Sequence, residues 1–183
     1  MVGQFFIALF VTEYNSSAMT ILDSHTIEFF SRSPEQTRRI GMRLGSEIKA
    51  GDVICLQGDL GAGKTTFVQG LAQGWGSLDS VSSPTFIIVN VYRHPAGDQL
   101  FHLDTYRLES VPEAEELDLD SMLAEGALII EWPERLGNLI PNERLWINFE
   151  HIADEHRQMN FNANGKRYDE LLDGIRQSIS GGA

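Results

Sequence analysis

Basic residues are scarce in this chain: 14 Lys and Arg stand against 26 Asp and Glu, for a formal net charge of −12 over 183 residues. That balance argues against a chain that grips nucleic acid by itself, because phosphate repulsion has to be offset by Lys and Arg. Cysteine is scarcer still. The single Cys55 excludes an intramolecular disulfide. It lies in the apolar run Val53-Ile54-Cys55-Leu56 and reads as a buried strand thiol, which fits a reducing, cytoplasmic compartment. No apolar run is long enough to span a membrane. Phe5 to Val11 is apolar, but no basic residue precedes it, as a signal peptide requires. Residues 1–18 are therefore expected to be a poorly ordered extension, and residues 19–183 a single domain. The five histidines show no metal-ligand spacing with Cys or with one another.

What is present is a regular alternation of strand and helix signals. Thr26 to Phe30 reads as a short strand. Ser33-Pro34-Glu35-Gln36 has the residues of a capped helix start, with Pro34 at the first helical position and Gln36 placed for a capping box. Ile40, Leu44 and Ile48 follow at helical spacing. Val53 to Gln57 is a continuous apolar strand, as a central strand covered on both faces should be. A second helix starts near Lys64, with Phe67, Val68 and Leu71 on one side, and Gly74 to Gly76 ends it. Phe86 to Tyr92 and Leu100 to Leu103 read as an antiparallel hairpin around Pro95-Ala96-Gly97-Asp98. Glu113 to Leu123 is acidic and helical, a solvated face by the simplest reading. Ala127 to Ile130 is another buried strand. Arg144 to Phe149 and Arg157 to Phe161 suggest two antiparallel strands, and Tyr168 to Ile179 a terminal amphipathic helix. The order is that of an α/β fold wound around one sheet, with antiparallel additions.

Between the second strand and the second helix the chain reads Gly58-Asp59-Leu60-Gly61-Ala62-Gly63-Lys64-Thr65, a full Walker A pattern. Wrapping a phosphate with successive N–H groups demands glycines, which permit the backbone angles and the close approach. The helix that opens at Lys64 adds its dipole. Lys64 supplies a point charge for the terminal phosphates, and the Thr65 hydroxyl can ligate Mg²⁺. Thr66 can contact the phosphate next along the chain or simply start the helix. A chance match to the four specified positions is below about 1% in a chain of this length. The expected fold is thus a P-loop NTPase-type mixed sheet with flanking helices.

Such a loop needs a carboxylate from the end of a neighbouring strand. Asp104 and Glu131 both end apolar runs, at the strand edge where open α/β sheets place ligands. Either can serve the metal, and Glu131, after the cleaner run, can alternatively position the attacking water. His102, two residues before Asp104, reads as structural. Ser83-Pro84-Thr85-Phe86 sits where switch-type segments occur, so Ser83 and Thr85 are switch candidates; a Pro-fixed turn is the plainer alternative. Trp132 stands beside the catalytic edge, either near the nucleotide or as a packing anchor.

Taken together, Gly-Asp-Leu-Gly-Ala-Gly-Lys-Thr-Thr, Ser-Pro-Thr-Phe, His102-Leu-Asp104-Thr-Tyr106-Arg107 and Ile130-Glu131-Trp132-Pro133-Glu134 resemble the bacterial tRNA threonylcarbamoyladenosine biosynthesis ATPases, the TsaE or YjeE family. The resemblance runs from about Thr26 to Arg157. It implies a small P-loop ATPase that uses ATP and Mg²⁺ and supports the modification of tRNA adenosine 37 to t6A. It also implies the partners, a transferase subunit and its paralogous partner (the TsaD–TsaB complex), with tRNA met only indirectly. Intrinsic hydrolysis in that family is slow, as suits a site that partners complete. Carried over residue by residue, Lys64 and the loop amides hold phosphates, Thr65 ligates Mg²⁺, Asp104 and Glu131 serve metal and water, and Trp132 and Arg157 lie near the nucleotide. Other classes fit less well. A small-molecule kinase would carry an Arg-rich lid, where this chain is acidic after Arg107. A regulatory GTPase would carry an Asn-Lys-x-Asp motif, which is missing. A non-catalytic scaffold would have no need of Lys64, Thr65, Asp104 and Glu131 together.

Overall fold

The computed structural model of the protein describes residues 18–21, 23–81, 88–108 and 111–180. Strands β1 (Ala18–Ile21) and β2 (Thr26–Ser31) precede helix α1 (Pro34–Gly45). Strand β3 (Val53–Gln57) leads into α2 (Lys64–Trp75), followed by the hairpin of β4 (Val89–Arg93) and β5 (Gln99–Asp104). Short helices α3 (Val111–Glu115) and α4 (Leu119–Glu125) lead to β6 (Gly126–Glu131). Strands β7 (Arg144–Ala153) and β8 (His156–Asn164) and helix α5 (Lys166–Ser180) complete the order. The strands form one sheet in the order β1-β2-β8-β7-β3-β6-β5-β4. Its centre, β7-β3-β6-β5, is parallel, and every other pairing is antiparallel. This is the expected mixed α/β sheet with antiparallel additions on both sides.

Apolar strands at the centre account for the two-sided core. In β3, Ile54 and Leu56 face the layer of α1, α2 and α5, where Ile40, Leu44, Phe67, Leu71 and Leu172 are buried. Val53 and Cys55 face the opposite side, against Leu128, Ile130, Leu119 and Leu136. The Cys55 thiol is pushed up to about 12 by burial, so it stays protonated and unreactive at neutral pH. No helix of the described residues is long and apolar enough to cross a membrane.

Several elements differ from their sequence readings in instructive ways. The α1 cap has Ser33 Oγ accepting from Gln36 N at 3.3 Å, but Gln36 Oε1 accepts from Arg32 N rather than from the cap residue. Helix α1 ends at Gly45, so buried Ile48 lies beyond it. By contrast, α2 ends within Gly74 to Gly76 as expected: the helix runs to Trp75 and Gly76 caps it in the left-handed conformation. The acidic stretch is two helices, not one, because Asp118 takes φ 46° and caps α4 through Ser121 N. Strand β1 adds to the sheet edge ahead of any strand signal in the sequence. The extension expected over residues 1–18 and the switch candidates Ser83 and Thr85 fall outside the described residues, except for Ala18 at the start of β1.

Candidate functional site

The ends of three adjacent parallel strands make the site. Glu131 is the last residue of β6, in register with Leu56 of β3 on one side and with Asp104 of β5 on the other. The Walker loop leaves β3 just past that point. Gly58 has φ 150°, and a Cβ there would lie 2.6 Å from Phe149 O, so the loop passes β7 at a distance only glycine allows. Gly63, at φ 103°, is the left-handed residue that turns the loop into α2. Asp59, Leu60 and Gly61 are exposed, while Ala62 tucks into the core.

Lys64 is 4% exposed. Its Nζ donates to the carbonyls of Gly58 and, at 3.0 Å, Asp59, so the loop's own backbone holds the ammonium in place. Burial pushes its pKa down, and the nearby carboxylates Glu131, Asp104, Glu134 and Asp59 pull it back up. The Trp132 ring lies over the same ammonium, 3.9 Å from Nζ to the ring centre, and Tyr106 packs on Trp132 with ring centres 4.9 Å apart. Trp132 is thus a cover on Lys64 and a packing partner of Tyr106. Its backbone, at φ 60° and ψ 47°, occupies a left-handed well that costs a non-glycine residue about 1 kcal/mol or more. Thr105 holds that turn. It is fully buried, and its hydroxyl lies 2.9 Å from Glu131 O and 2.7 Å from Trp132 O.

Thr65 and Glu131 meet directly. Thr65 Oγ1 donates to Glu131 Oε1 at 3.2 Å, joining the Walker hydroxyl to the strand-end carboxylate. Asp104 lies beside them with Oδ1 accepting from Tyr106 N at 3.1 Å. Burial raises the Asp104 pKa, with the charge of Glu131 adding to the rise. Glu131 is 3% exposed, so a cation beside it would offset the cost of burying a carboxylate. Among the described residues no group of three or more His, Cys, Asp and Glu side chains could hold a metal alone. A hydroxyl and two carboxylates are instead the partial set of hard oxygen donors that suits Mg²⁺ when phosphate oxygens supply the rest.

His102 also belongs here, although its sequence reading was structural. It is fully buried, its Nε2 lies 2.9 Å from Glu131 Oε1, and its Nδ1 lies 3.1 Å from the Tyr92 hydroxyl. No local pattern could have revealed this, since the partner is 29 residues away and is met only through the β5–β6 register. Arg157, at the start of β8, reaches the other side of the loop, where its NH2 lies 3.4 Å from Gly61 O. With Thr66, Gly61, Gly63, Pro34, Thr37 and Glu155 it lines a pocket beside the first turn of α2.

Comparison with known proteins agrees with this geometry. The family model for threonylcarbamoyl adenosine biosynthesis protein TsaE matches residues 31–159. The chain belongs to the TsaE family. Its similarity to the Bacillus subtilis tRNA threonylcarbamoyladenosine biosynthesis protein TsaE is 40% identity over 142 residues, covering 77% of this chain and 88% of the relative. The Streptomyces coelicolor TsaE is 39% identical over 139 residues, covering 72% and 93%. The crystal structure of Bacillus subtilis YdiB superposes with a TM-score of 0.71 at 31% identity, covering 90% of this chain and 99% of that one. The matched span of the TsaE model contains the loop, Asp104, Glu131 and Arg157, so the whole candidate site lies within the family's own territory.

Proposed function

We propose that this TsaE-family chain is a Mg²⁺-dependent ATPase that supports t6A modification of tRNA by binding and hydrolysing ATP on the transferase subunit and its paralogous partner. The observation that carries the reading is the Thr65–Glu131 contact at the mouth of a Walker loop, with Lys64 and Asp104 beside it. Successive amides of Gly58 to Thr65 and the α2 N-terminus suit a polyphosphate. Lys64, already desolvated, offers its charge to the terminal phosphates. Thr65, Glu131 and Asp104 would hold Mg²⁺, which when bound neutralises phosphate charge as the terminal group leaves. Glu131 or Asp104 orients the attacking water. The pocket of Thr66, Thr37 and Arg157 borders the same loop at Gly61 and Gly63. The relatives' names supply the biological setting, and the acidic balance fits a protein that serves the RNA through partners.

The deciding experiment measures ATP and GTP hydrolysis with Mg²⁺, alone and with the transferase pair. Lys64→Ala is expected to lower the ATP rate by about 100-fold or more, the scale of losing one preorganised charge at a transition state. Preference for ATP over GTP and acceleration by the pair are also expected. A Lys64→Ala variant that hydrolyses ATP like the parent overturns the mechanism, and no association with the pair overturns the partner assignment.

A further inference from the structure

Histidine 102 spends both ring nitrogens on one line of contacts that ends at Glu131. Its Nε2 lies 2.9 Å from Glu131 Oε1 and its Nδ1 3.1 Å from the Tyr92 hydroxyl, with the imidazole fully buried and Tyr92 4% exposed. An ionised carboxylate can only accept, so Nε2 must carry a proton. On a neutral ring Nδ1 then has only a lone pair to offer, and the Tyr92 hydroxyl donates to it. Burial keeps that phenol protonated, with its pKa pushed up to about 12. With the ring neutral, donation runs Tyr92 to His102 to Glu131. At the far end Oε1 accepts a second bond from Thr65. Two donors on a single oxygen fix the rotation of the carboxyl group and engage Oε1 from both sides.

We infer that His102, held as the Nε2–H tautomer by Tyr92, is a positioning residue that aims the Glu131 carboxylate at the reacting end of the nucleotide. This rests on the ATPase reading above and deepens it. A buried histidine that merely filled the core could bond any nearby carbonyl. This one bonds the carboxylate that also meets the Walker hydroxyl. It touches no loop amide, so it acts on the chemical step and not on capture of the phosphates. Outer partners that orient a ligating or reacting group are commonly worth about 10- to 100-fold in activity or metal affinity.

The test compares the parent, His102→Leu and His102→Gln, with Lys64→Ala as reference. Gln keeps an N–H donor near the place of Nε2, whereas Leu keeps only bulk. Expected for His102→Leu is a kcat lowered about 10- to 100-fold, with KM for ATP and Mg²⁺-free nucleotide affinity near the parent's. His102→Gln should recover much of that loss. A readout independent of hydrolysis is the ¹⁵N-histidine spectrum of the parent, in which His102 should carry its proton on Nε2. A proton on Nδ1 with none on Nε2 overturns the inference, even if both variants fail to fold. So does parental kcat in His102→Leu, or a Gln variant no better than Leu. If the parent hydrolyses no ATP, or Lys64→Ala matches it, the ATPase reading fails instead, and the spectrum still judges the His102–Glu131 contact.

Discussion

Asp79 shows how much one half-buried side chain can fix. Its Oδ2 accepts from Arg93 N at 2.9 Å and from Arg93 Nε at 3.1 Å, and its Oδ1 accepts from Arg93 NH2 at 2.7 Å. The carboxylate thereby ties the chain leaving α2 to the end of β4. The Arg93 guanidinium, aided by its backbone N–H, lowers the Asp79 pKa from 3.8 to about 2. A folded value below the unfolded one stabilises the fold above pH 3.8, and that contribution is lost as pH falls through about 2. A ¹³C carboxyl titration should place the Asp79 midpoint near 2. In Arg93→Ala it should rise toward the ordinary carboxylate range, held partly down by the remaining backbone N–H, and an unmoved midpoint would show that the ion pair is not what lowers it. The same scale separates what could be read in the sequence from what could not. Gly58, Gly63, Lys64 and Thr65 announce themselves because a phosphate loop is a local object with fixed spacing. Thr105 and His102 do not, since each acquires its meaning from Glu131 or Trp132 across a strand pairing.

Helices α1 and α2 touch backbone to backbone. A Cβ on Gly45 would lie 2.0 Å from Leu71 O, and one on Gly74 2.0 Å from Met42 O; Gly41 and Gly70 repeat the pattern one turn earlier. Two glycine pairs, each four residues apart, thus form the seam along which α1 supports the helix carrying Lys64 and Thr65. Helix propensity alone would make Gly74→Ala stabilising by about 1 kcal/mol. The seam predicts the opposite sign, a loss of about 1–3 kcal/mol from overpacking against backbone that cannot yield. At about 2–4 °C per kcal/mol for a domain of this size, thermal melts will decide between them. A raised Tm would mean the helices can part without cost. The seam also divides the roles of the glycines at the end of α2: Gly74 is there for contact, and the cap is Gly76. Element types were legible wherever burial imposed a clean period, as in β3, β6 and α5. Sheet order was not, because the placing of β7 between β3 and β8 depends on which faces are apolar and not on any pattern within one strand.

Charge is a property of the whole chain, and it bears directly on how a protein linked to tRNA modification can work. The net charge is −12. Part of the positive side is also paired internally: Arg38 with Glu35, Arg93 with Asp79, Lys166 with Glu170, and Arg167 with the buried Asp52 at 2.6 Å. Non-specific RNA affinity comes from counterions released as Lys and Arg neutralise phosphates, so a chain with 26 acids against 14 bases gains little from that source. The isolated protein is therefore expected to bind tRNA more weakly than about 10⁻⁴ M at physiological salt, the weak end of non-specific binding. Filter binding between 50 and 200 mM salt would test this. A micromolar complex that weakens steeply with salt would reveal a basic surface the charge balance hides and would make the tRNA a direct ligand. Without such a complex, any effect of the proposed ATP hydrolysis on the modified adenosine must pass through protein contacts.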